Sequence, residues 1–332
     1  MATASAPADA APQASLADVS VAWEQLRAGL DRVILGQAAV KERALICLLA
    51  GGHALLEGAP GTGKTLLALA LAKLVGSQFR RIQFTPDLMP IDLLGTNVFS
   101  QKTQEFDFQP GPVFTDVLLA DEVNRTPPRT QSALLEAMQE RAVTIDGRRH
   151  ALSPVFFVMA TQNPVEYEGT YPLPEAQKDR FLLKIEVGYP DGPEEVSILR
   201  AYAEGRQLHK TEVDLLQPVL DARQLEGCIR AVSTQVRVED RLLGYIREVV
   251  AATRTDEDVQ LGAGPRAGLA LLQCARAQAA VRGRDFITPD DLKELAEPVL
   301  AHRVTLSPEA DMEGRDQAEI LRRIFDRVEV PR

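Results

Sequence analysis

Cysteine is scarce. The 332 residues hold three, Cys47, Cys228 and Cys274, odd in number and far apart, which leaves no disulfide framework and reads as reduced, buried thiols. Histidine offers no metal cage either: His53, His150, His209 and His302 are scattered along the chain. No apolar run approaches the length of a bilayer span. The opening stretch, Met1 to Ser15, has neither a basic n-region nor an apolar h-region, so it is no secretory signal, and cytoplasm is the expected compartment. Positive charge is in deficit, with 37 Lys and Arg against 47 Asp and Glu, a net charge of −10. Nucleic-acid binders carry a basic face, so this balance counts against one without excluding a local patch. What is present is an ordinary globular composition, 45% hydrophobic and 25% charged, at a length suited to about two domains.

The stretch Gly58-Ala59-Pro60-Gly61-Thr62-Gly63-Lys64-Thr65 follows a short apolar run, Ala54-Leu55-Leu56, and opens another, Leu66 to Ala72, that reads as helix. Strand, glycine-rich turn and helix is the context a phosphate-binding loop needs. Glycines let backbone N–H groups close on phosphate oxygens, and the helix N-terminus adds partial positive charge. Lys64 can reach the β- and γ-phosphates, and Thr65 can place its hydroxyl on Mg²⁺. The residues expected to hold a nucleotide's phosphates are therefore Gly58, Pro60, Gly61, Thr62, Gly63, Lys64, Thr65 and Leu66.

Residues 1–17 read as a disordered Ala/Pro/Ser tail. Helical spacing predicts helices over Val19–Val33 and Ala38–Leu49, separated by Ile34-Leu35-Gly36-Gln37. Strands are predicted at Ala54–Glu57, Phe79–Phe84, Val117–Ala120, Val155–Ala160 and Phe181–Val187, with helices at Lys64–Leu74, Pro127–Arg141 and Leu173–Arg180. Alternating β and α segments indicate a parallel α/β core. Two hairpins interrupt it, at 96–108 and at 142–152, the second turned by Asp146-Gly147. After Tyr189-Pro190-Asp191-Gly192-Pro193 the character changes. Helices are expected at Glu194–Ala203, Asp221–Val232, Val238–Thr253, Gly264–Val281, Pro289–Leu300 and Ala318–Val328, with no strand among them. The organisation expected is a core over 18–190, a linker over 191–220 and a helical domain over 221–332.

Hydrolysis of a nucleotide needs a carboxylate for hydrated Mg²⁺, a base for water and polar or cationic groups around the γ-phosphate. Asp121 and Glu122 close the apolar strand at Val117 and fit the first two roles, Asp121 for the metal and Glu122 for the water. Parallel strands present their C-terminal ends to one crevice, so this pair belongs near the phosphate loop. Thr161-Gln162-Asn163-Pro164 ends the next strand and can orient water or phosphate.

These motifs, with Leu134 to Glu140 and Leu173-Pro174-Glu175-Ala176-Gln177-Lys178-Asp179-Arg180-Phe181, resemble the MoxR family of AAA+ ATPases over roughly residues 20–310. The resemblance implies an AAA+ P-loop NTPase core, a parallel five-stranded sheet with helices on both faces, followed by a small all-α lid. It also implies a ring homo-oligomer, usually a hexamer, with ATP and Mg²⁺ between subunits. By resemblance Asn163 falls at sensor 1, Arg180 at the arginine finger that reaches the neighbour's γ-phosphate, and Arg266 at sensor 2, in cis or in trans. Ile34 and Gln37 belong to the segment that lines the adenine pocket, and the hairpins resemble the helix-2 insert and the pre-sensor-1 hairpin. Glu122, Asn163, Arg180 and Arg266 are thus the expected catalytic set, and Thr65 and Asp121 the expected metal ligands. Arg125 and Arg129 are lesser candidates for facing a neighbour.

The function implied is ATP hydrolysis at inter-subunit sites that drives chaperone-like remodelling or maturation of a partner complex, commonly with a von Willebrand factor A-domain protein. The rivals are a nucleic-acid or transcription-related motor, an ATP-gated scaffold and a small-molecule kinase, the last lacking an evident acceptor pocket. The basic hairpin tip Arg148-Arg149-His150 is open to a client or to solvent, and Phe106, Phe108 and Phe114 read as core packing.

Overall fold

A computed structural model describes residues 13–163, 170–205 and 210–331. Most of the expected tail, Pro164 and part of the 191–220 span lie outside the described residues. Five strands form one parallel sheet: β1 (Ala54–Glu57), β2 (Phe79–Gln83), β5 (Val117–Asp121), β8 (Phe157–Gln162) and β9 (Leu183–Glu186), in the order β2-β5-β8-β1-β9. β5 is buried along Val117–Ala120, as its uninterrupted apolar run requires of a strand covered on both faces. Register places Gln83 beside Asp121, Ala120 beside Ala160 and Leu56 beside Thr161, so these C-terminal ends share one edge.

Two hairpins stand off this sheet, β3 (Gly95–Ser100) with β4 (Glu105–Pro110) and β6 (Ala142–Ile145) with β7 (Arg148–Ala151). They touch each other. Asn97 Nδ2 donates to Asp146 Oδ2 at 2.6 Å, and the His150 ring stacks on Phe108 at 4.1 Å between centroids. The tip residue His150 is therefore packed rather than free. Phe106, expected in the core, is 68% exposed and meets only the edge of Phe99 across the strand pair.

The C-terminal helices Ala222–Gln235 and Pro265–Val281 pack on Leu16–Val33 and Ala38–Leu49 and share one apolar cluster with the sheet's inner face. The helix expected at Glu194–Ala203 is present as Gly192–Ala203, capped by Asp191, within the span expected as linker. Two expectations need correction. The first helix begins at Leu16, inside the expected tail, because Ser15 and Asp18 close a capping box. The helical domain also carries a short antiparallel pair, β10 (Val259–Leu261) with β11 (Thr305–Leu306), pinned by Asp256 and Asp258 to Arg315, Arg323 and Arg327. Among the described residues no helix is long and apolar enough to cross a membrane.

Candidate functional site

The phosphate loop joins β1 to the helix Lys64–Leu74. Gly63 caps that helix at φ 88°, in the left-handed region where glycine carries no Cβ penalty. Gly58 must also be glycine: a Cβ there would lie 2.1 Å from the Val187 carbonyl. Lys64 Nζ turns back onto the carbonyls of Gly58 and Ala59, at 2.6 and 2.7 Å, and Thr62 Oγ1 donates to Ala59 O at 3.0 Å. Burial lowers the pKa of Lys64, while Asp121 and Glu122 pull it upward. The two carboxylates thus partly offset the desolvation of this cation.

A cleft of 510 Å³ opens over this loop, inside the range of small-ligand sites. Its walls bring together Ile34, Gln37, Gly58, Pro60, Gly61, Thr62, Gly63, Lys64, Thr65, Leu66, Asp121, Glu122 and Asn163. Gln37 closes one side. Its side chain donates to Thr62 O at 3.1 Å, and its backbone N–H to Glu194 Oε1 at 2.9 Å. Glu194 sits on the helix Gly192–Ala203, whose Ile198 also lines the cleft, so this helix is part of the site.

Asp121 and Glu122 are each held by their own chain. Thr161 Oγ1 donates to Asp121 Oδ1 at 2.6 Å and accepts from the Glu122 N–H at 2.8 Å. Arg81 pairs with Asp121 Oδ2 at 2.6 Å. Gln83 Nε2 donates to Glu122 Oε2 at 2.6 Å, and Arg125 Nε lies 3.1 Å from the same carboxylate. Arg125, expected as a lesser candidate for facing a neighbour, thus holds Glu122, and Arg129 is exposed at the start of the helix Pro128–Glu140. Glu122 itself has left-handed backbone, φ 57° and ψ 52°, a conformation that costs on the order of 1 kcal/mol for a non-glycine residue and gathers at functional sites. Asn163 is buried, and its carbonyl accepts from Asn124 Nδ2 at 3.4 Å. The arrangement can seat a phosphate chain, offer hard oxygen ligands to a divalent ion and aim a carboxylate at water.

Arg180 and Arg266 do not line this cleft. They meet in a pocket of 250 Å³ with Gly51, His53, Arg141, Asp179 and Arg303. Gly51 and His53 precede β1 and Leu182 precedes β9, so the pocket lies at the N-terminal end of the strands whose C-terminal ends carry the phosphate loop. Four-residue strands at ~3.3 Å per residue separate the two by roughly 13 Å. Arg266 approaches Asp179 at 4.0 Å, whereas the Arg180 Nε is buried with no partner.

Arg81, Gln83, Glu194 and Thr161 are the residues that motif reading passed over or left without a role. For Arg81 and Gln83 a signal existed, polar residues at alternate positions of a strand that ends beside Asp121. Glu194 had none, being 157 positions from its partner Gln37.

A family model described as ATPase family associated with various cellular activities (AAA) matches residues 53–183, and one described as AAA lid domain matches residues 251–324. The chain is 44% identical over 315 residues to Chaperone MoxR1 of Mycobacterium tuberculosis, covering 91% of this chain and 80% of that one. It is 48% identical over 302 residues to the uncharacterized protein YeaC of Bacillus subtilis, with 91% and 92% covered. Protein MoxR of Paracoccus denitrificans is 31% identical, with 89% and 91% covered. A crystal structure from Cytophaga hutchinsonii, provisionally assigned as an ATPase, superposes with a TM-score of 0.87 at 38% identity, covering 96% of this chain and 97% of that one.

Proposed function

The chain belongs to the MoxR family of AAA+ ATPases and is an ATPase, and on that premise we propose that it hydrolyses ATP at sites each completed by a neighbouring subunit of a ring. One observation carries the reading: Arg180 and Arg266 share a cationic pocket at the far end of the sheet from the phosphate loop. Neither lines the nucleotide cleft of its own chain there, which supports the reading that both act in trans. A finger supplied by a neighbour makes turnover conditional on assembly and is worth roughly 10³-fold or more.

Within one subunit the loop Gly58–Thr65 and Leu66 grip the phosphates, with Ile34 and Gln37 against the base. Thr65 and Asp121 would hold Mg²⁺, since their hydroxyl and carboxylate oxygens fit its preference for hard donors, and the ion would supply charge stabilisation at the γ-phosphate. Glu122 takes the proton of the attacking water and Asn163 orients it. Residues 18–190 act as the motor core and 221–332 as the lid. The work done is chaperone-like remodelling in the cytoplasm, by a hexamer, on a complex reached through a von Willebrand factor A-domain protein.

A Glu122→Gln chain loaded with ATP tests this reading, because it binds without turnover. It should retain an A-domain protein of its own cell that Lys64→Ala releases. Turnover stimulated by DNA and falling steeply with salt would instead favour a nucleic-acid motor.

A further inference from the structure

A buried arginine of the lid grips the segment that carries Arg180. Arg303 ends the turn Ala301–Arg303, and its side chain is 3% exposed. Its Nε donates to Asp179 Oδ1 at 2.8 Å. Its two terminal nitrogens reach the carbonyls of Asp179 at 3.3 Å, Phe181 at 2.5 Å and Leu182 at 3.1 Å, and that of Val299 in the preceding helix. His302 beside it donates Nε2 to the Phe181 carbonyl at 3.0 Å. The planar fork thus holds backbone on both sides of Arg180, an arrangement that a flexible ammonium cannot reproduce.

Within residues 179–182 everything but Arg180 is committed. The Asp179 carboxylate is taken by Arg303, and the Phe181 and Leu182 side chains are buried. Burying a charged guanidinium is costly, and here it is spent on four acceptors within four residues of core backbone. A second lid arginine, Arg266, also leans on Asp179, at 4.0 Å. Two arginines of the lid therefore contact the segment that carries Arg180.

We infer that Arg303 is a positioning residue for hydrolysis in the neighbouring subunit: through Asp179 and the carbonyls of 179–182 it fixes where the Arg180 guanidinium points. The inference rests on the reading of Arg180 as a finger in trans. It assigns the lid a task beyond its own nucleotide, namely aiming the group that completes the next site.

Mixed-ring complementation tests it. Arg303→Met alone should lose at least tenfold in turnover. Mixed with Glu122→Gln subunits, whose clefts are dead but whose fingers are intact, it should recover activity well above the sum of the two separate preparations. Mixed with Arg180→Ala subunits it should recover none, because both lack a working finger. Asp179→Asn, a milder change that keeps the side chain's shape, should show the same pattern and guards against failure of Arg303→Met to fold. A merely structural role predicts no recovery with Glu122→Gln. If Arg180→Ala recovers with Glu122→Gln while Arg303→Met and Asp179→Asn do not, the clamp is overturned and the finger stands. If Arg180→Ala alone turns over at the wild-type rate, the finger reading falls and takes the clamp with it.

Discussion

The cleft and the arginine pocket are built on opposite terms. In the cleft the charged groups are already held by their own chain: Asp121 by Arg81 and Thr161, Glu122 by Gln83 and Arg125, Lys64 by two carbonyls of its loop. In the pocket Arg303 is saturated, yet Arg180 leaves a buried Nε unpaired and Arg266 has one distant contact. Unpaired buried polar atoms are uncommon because each forfeits its hydration without return. On the proposed reading, one half of the chemistry is preorganised internally and the other half is completed by a neighbouring subunit.

The steepest test of the contrast is Lys64→Ala, which should abolish nucleotide binding in a fluorescent-nucleotide titration. Glu122→Gln should bind normally and lose turnover; equal ATPase rates in this variant and wild type contradict the base assignment. Arg180→Ala should lose about 10³-fold in turnover, with the nucleotide cleft of its own chain intact. Thr161→Val breaks the hydroxyl shared by Asp121 and the Glu122 N–H, and such outer positions cost about 10–100-fold in activity. An unchanged steady-state rate would mean the cleft does not need that internal bracing.

The smallest effect concerns the wall between the two regions. His53 lines the arginine pocket, takes the Val158 N–H on Nδ1 and faces the Met138 carbonyl with Nε2. Burial, with the charge of Arg141 added, lowers its pKa to about 4 from the ordinary 6.5. The fold therefore favours the neutral ring, and the unfolded chain binds the extra proton. Stability is whole above pH 6.5 and is lost as pH falls toward 4, by up to about 3 kcal/mol. Urea midpoints measured from pH 7 to 4.5 should fall, and His53→Gln should reduce the slope without removing it, because burial lowers the His302 pKa in the same direction.

The core was legible because its signals are local. A continuous apolar run ending in Asp121-Glu122 announces a buried parallel strand, and the five-stranded parallel sheet is present. The capping box of Ser15 and Asp18 was equally local and still masked by the Ala/Pro composition around it. β10 and β11 span three and two residues, too short for any periodicity to register, and they pair across more than forty positions. Phe106 looked like core because aromatics bury well, but the second hairpin covers Phe108 on the same face and leaves Phe106 exposed. In the cleft the loop and the carboxylates were legible by spacing, while Glu194 and the brace of Arg81 and Gln83 needed register and tertiary closure. Arg303 was invisible for a different reason. Arginine is expected at the surface, and only the buried backbone of 179–182 explains its place inside.

The most direct measurement of the divided site is steady-state ATPase activity of mixed Arg180→Ala and Glu122→Gln subunits across their ratio. The account predicts two nearly inactive preparations whose mixture rises to a maximum at intermediate ratio, as intact clefts meet intact fingers. A mixture that never exceeds the weighted sum of its components contradicts it.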